Sequence, residues 1–181
     1  YFDLKGKLNS STMETLQAFN YARTNLKSTP RLENSFIEFY KNSNDINESI
    51  KAIRIMATPS ADESFEVREK ALLTLAQTAG KEAIQAYETA SRHRLPGETV
   101  LQASEEFADL MKSNKGSTLD TANTQRAFEY MRTQLSSSPE EMQIFKNLYK
   151  QVGDVKPTMD LMEKLKQPAG DSTFAERASF M

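Results

Sequence analysis

Apolar residues recur at helical spacing along most of this chain. Leu32, Phe36, Phe39 and Tyr40 form an i, i+4, i+7, i+8 stripe, and Ile46, Ile50 and Ile53 line one face of the segment that follows. Phe65, Leu72 and Leu75, then Ile84, Tyr87 and Ala90, then Val100, Ala103, Phe107 and Leu110 carry the pattern on. Strand-type alternation is nearly absent. The residues between stripes are those that start and stop helices. Thr29 followed by Pro30 supplies an N-cap and a first-turn proline whose missing N–H leaves no bond unmade. Ser138 and Pro139 do the same, and Glu141 completes the spacing of a capping box. Asp45 with Glu48 opens another helix, and Ser60 with Glu63 a further one. Gly80 ends or bends that helix, and "SRHRLPG" and "NKG" stop two more. The prediction is an all-α protein of short helices, the first over about residues 12–27, joined by connections short enough to make neighbours antiparallel.

The same punctuation is written twice. "AFNYARTNLKSTP" at residues 18–30 returns as "AFEYMRTQLSSSP" at 127–139, with eight of thirteen positions identical. The shift that takes Pro30 to Pro139 also pairs Phe36 with Phe145, Tyr40 with Tyr149, Lys41 with Lys150 and Asp45 with Asp154. Further on it pairs Asp62, Phe65 and Arg68 with Asp171, Phe174 and Arg177. One register held over so long a stretch predicts a tandem helical repeat with a period of about 109 residues, bundle-like or solenoid-like. Its first unit spans residues 1–115, with six helices. The second, partial unit spans 116–181, with counterparts of the first three helices and the start of a fourth. The period exceeds the ~34 residues of tetratricopeptide repeats and the ~40–47 of HEAT and armadillo units. Spectrin-type repeats have a comparable unit length and helicity. The chain has no Trp, and Pro30, Pro96 and Pro139 interrupt any long-helix reading, so the likeness stops there. A start at Tyr1 and a stop at Met181, inside a segment matching the beginning of a helix, read as a piece of a longer array.

Composition narrows the function. With 23 Lys and Arg against 25 Asp and Glu, the chain lacks the basic excess of a nucleic-acid-binding surface. No apolar run is long enough for a membrane-spanning helix. The absence of Cys removes disulfides and thiolate metal sites, and no metal-ligand spacing exists. His93, the single histidine, sits between Arg92 and Arg94 at a predicted helix end, where cations interact favourably with the helix dipole. Glu105–Glu106 and Glu140–Glu141 read as a solvated face and a helix N-terminal charge. "NKGST" at 114–118 has the wrong order and spacing for a phosphate-binding loop. No catalytic residue, metal or cofactor is expected.

The repeated polar and aromatic residues are the remaining candidates. On a wheel of about 100° per residue with Phe19 at zero, Leu16, Ala22 and Leu26 fall within about 60° of it. Tyr21 lands at about 200°, on the opposite side, as does Tyr130. Arg23 and Arg132 fall at about 40°, at the edge of the apolar arc, where a half-buried guanidinium needs an acceptor. Asp45 and Asp154 are candidate acceptors, as are carbonyls at the end of a neighbouring helix, and Arg68 and Arg177 pose the same question. Tyr21 and Tyr130 are therefore candidate partner-binding residues, and Arg23 and Arg132 candidate structural or clamp arginines. The expected function is a non-catalytic interaction module binding another protein, with no nucleic acid and no membrane insertion. The polar, Cys-free repeats would suit a secreted effector of a host-associated microbe. A spacer repeat of a long surface or secreted protein is the alternative, and an all-α enzyme the third reading.

Overall fold

The computed structural model of the chain describes residues 12–113 and 121–166. Every regular element among the described residues is helical: α1 (Thr12–Asn25), α2 (Pro30–Ser43), α3 (Ile46–Ala57), α4 (Phe65–Ala79), a 3-10 turn (Gly80–Glu82), α5 (Ala83–Arg92), α6 (Val100–Lys112), α7 (Thr121–Gln134), α8 (Pro139–Val152) and α9 (Val155–Lys166). Among those residues no helix is long and apolar enough to cross a membrane. Two compact units result, Tyr1–Ala108 and Asp109–Met181. The division falls inside α6, ahead of the 115/116 boundary drawn from sequence.

In the first unit α2 packs against both α3 and α4, and α4 against α5. The predicted stripes supply much of the core: Phe36, Phe39, Tyr40, Leu72, Leu75 and Phe107 are fully buried, joined by Met56, while Ile46 and Ile50 of the α3 stripe are only half-buried. Each such side chain contributes about 1.5–3 kcal/mol of burial. Gly80 has φ +57, and this turn passes the chain from α4 through the 3-10 turn into α5. Only glycine adopts that geometry without strain. Arg68 is the main polar device of this unit. It is 7% exposed, and its guanidinium donates to the carbonyls of Ile55 (3.2 Å) and Met56 (2.9 Å) and to that of Glu63. The first two are end-of-helix acceptors of α3, which have no partner within the helix. Arg68, for which the sequence poses the same question as for Arg23 and Arg132, thus serves helix-ending carbonyls. Arg177 lies outside the described residues.

The second unit's described helices, α7 to α9, all contact one another. Phe128, Met131, Phe145, Tyr149 and Met162 are fully buried among them. Asn123, in the first turn of α7, donates from Nδ2 to the Gly153 carbonyl (3.1 Å) and to Tyr149 Oη (3.2 Å). Its Oδ1 accepts the Val155 N–H at 2.9 Å. One amide side chain thus holds the first turn of α7 against the start of α9.

Several caps differ from the sequence expectation. Asp45 caps α3 as predicted, accepting from the N–H groups of Asn47 (2.8 Å) and Glu48 (3.0 Å). The helix expected to open at Ser60 with Glu63 instead opens at Ser64, whose hydroxyl accepts the Val67 N–H at 3.3 Å. The Glu63 carboxylate is engaged elsewhere, by Arg94 (2.6 Å) and the Val100 N–H (2.8 Å). Thr29 occupies the N-cap of α2 without a side-chain hydrogen bond, whereas Ser138 accepts the Glu141 N–H at 3.2 Å. The Glu141 carboxylate pairs with Lys166 at 2.7 Å. A complete capping box sits where sequence reading passes it over. Thr99 Oγ1 accepts the Gln102 N–H (3.2 Å), while Gln102 Oε1 accepts the Thr99 N–H (2.9 Å), starting α6.

Candidate interaction site

The buried seam of α1 is Thr15, Ala18, Ala22 and Leu26, and that of α7 is Thr124, Ala127, Met131 and Leu135. These positions centre about 55° away from Phe19 on the wheel. The arc read from sequence is therefore rotated, because it weights the large Phe19 and Leu16 over the small alanines. Leu16, expected inside the arc, is 40% exposed, and Met13 is 64% exposed. Phe19 is half-buried at the seam's edge, while Phe128 is fully buried.

The rotation brings Tyr21 and Tyr130 to the other edge of the seam. Each is half-buried. The Tyr21 ring meets Phe36 with centroids 5.1 Å apart and a 33° tilt, and Phe36 stacks on Tyr40 at 6.3 Å. In the second unit Tyr130 meets Phe145 at 5.2 Å and 39°, and Phe145 stacks on Tyr149 at 6.2 Å. Offset and tilted ring pairs of this kind add to simple burial. Both tyrosines thus use one side of the ring within their own unit.

Arg23, placed by sequence at the edge of the arc, is exposed, with its guanidinium 5.4 Å from the centroid of Phe19. Arg132 is 6% exposed and lies 4.8 Å from the centroid of Phe128. Both are cation–π pairs on the preceding turn of the same helix. Asp45 and Asp154, named as acceptors, hold the N-termini of the helices they open. Asp154 Oδ1 takes the Lys156 N–H at 3.0 Å, as Asp45 does for α3.

An open cavity of about 470 Å³ lies between α7 and α9, beside Tyr130. Tyr130, Val155 and Met159 supply its apolar floor, and the exposed Arg126, Glu129, Lys156 and Asp160 its charged rim. Burial pushes the Tyr130 phenol above its ordinary pKa. Lys166 draws it down, and Glu163 and Glu141 push it further up. The echo of residues 18–30 at 127–139 singles out Tyr130, whereas the residues lining the cavity beside it come together only because α9 approaches α7 in the fold.

A second cavity, about 580 Å³, lies against the segment between α5 and α6 and includes Glu63, Arg94 and Glu98. Its polar groups are engaged in holding that segment. Arg94 pairs with Glu63, and Glu98 accepts the Leu95 N–H at 2.9 Å. His93 forms the C-cap of α5. Among the described residues no group of three or more His, Cys, Asp or Glu could hold a metal. No known family, curated protein or solved structure matches the chain.

Proposed function

We propose that the chain is a tandem helical-repeat module, with a period of about 109 residues, whose grooves bind another protein. Three features support the repeat. The end of α7, both ends of α8 and the start of α9 fall where the shift from Pro30 to Pro139 carries those of α1, α2 and α3. The two aromatic trios have matching centroid distances. Both second helices end in a left-handed residue, Asn44 at φ 52 and Gly153 at φ 75, whose N–H returns to Tyr40 or Tyr149.

The binding reading is carried by the groove between α7 and α9, an apolar floor with a mixed-charge rim. Apolar floors with polar rims are the anatomy of protein interfaces, and tyrosine is enriched at their centres. Capture of one partner by the wild-type chain, lost in Tyr21→Ala/Tyr130→Ala with helical circular dichroism unchanged, is the expected result. Retention of that partner by the double variant would sink the reading. A spacer role is the second reading, favoured by the fact that both tyrosines already pack on Phe36 or Phe145. It predicts no partner at all.

A further inference from the structure

We draw no further inference here: the strongest candidate, the open groove between α7 and α9 beside Tyr130, belongs to the site already described, and nothing in the structure shows what covers it.

Discussion

Tyr40 and Tyr149 occupy equivalent places in the two aromatic trios, and removing their hydroxyls should have opposite effects. Tyr40 is 1% exposed and Tyr149 0%. The Tyr149 hydroxyl accepts from Asn123 Nδ2 at 3.2 Å. The Tyr40 hydroxyl is buried with no hydrogen-bond partner. The counterpart of Asn123 in the first block is Glu14, which lies exposed. A buried hydroxyl without a partner costs about 1–3 kcal/mol, whereas a satisfied one contributes about 0.5–1.5 kcal/mol net. Tyr40→Phe keeps the ring stack and deletes the unmatched group, so it should stabilise the first unit by about 1 kcal/mol. Tyr149→Phe should destabilise the second by about 1 kcal/mol, since Asn123 Nδ2 keeps only the Gly153 carbonyl of these two acceptors. The chain has no Trp and two units, so a single unfolding curve would blur the two effects. Native-state amide exchange read by mass spectrometry resolves each unit separately. Protection of α2 and α3 should rise about fivefold in Tyr40→Phe, and that of α8 and α9 should fall by a similar factor in Tyr149→Phe. A loss of protection in both variants, of similar size, would refute the hydrogen-bond argument.

Other expectations follow from the same contacts. Arg68→Ala should cost about 2–4 kcal/mol, measured by urea unfolding, because the Ile55, Met56 and Glu63 carbonyls lose their donor inside the first unit. Arg68→Lys should recover only part, as an ammonium cannot span three acceptors in the plane of a guanidinium. Gly153→Ala should destabilise by about 1–2 kcal/mol, since φ 75 is left-handed, while Asn44→Gly should be neutral or stabilising in the same assay. Arg31 holds the Glu66 carboxyl below its ordinary pKa through their 3.0 Å hydrogen bond. A lowered carboxyl contributes stability at pH values above its unfolded pKa and loses it as pH falls through the folded value. Thermal midpoints should therefore drop in mild acid, and less so in Arg31→Ala. Both partners are exposed, so added salt should shrink the difference.

Much of the fold was legible because it rests on local signals. The stripes through Phe36, Leu72 and Phe107 sit where periodicity puts them, and Asp45 caps α3 through the backbone N–H groups expected of it. Two of the misses at helix caps share one physical origin: a side chain with two possible jobs. Glu63 has the spacing of a capping residue for Ser60, yet Arg94 and the Val100 N–H, distant in sequence, hold its carboxylate. Glu141 likewise meets Lys166 instead of its own N-cap. Local pattern cannot weigh a competitor that arrives through tertiary packing.

The site was half legible for a different reason. The echo between residues 18–30 and 127–139 singles out Tyr130 but draws the eye to what the blocks share. What they share is scaffold: the ring trios, the left-handed caps, the Thr–Ala–Leu seam. On the proposed binding reading, recognition would belong where they differ, because identical surfaces on two blocks would offer a partner no means of choosing between them. Alignment in one register already places Lys156 against Asn47 and Asp160 against Lys51. It does not reveal that Lys156 and Arg126 stand on one rim, since the whole of α8 separates them along the chain. That juxtaposition needs α7 and α9 to start at the same end, and Asn123 ties those two starts together. Its replacement by Ala should therefore loosen the groove before it unfolds the unit. Capture of a partner at the groove, on the proposed reading, would then weaken at temperatures where the chain's helical circular dichroism is still intact.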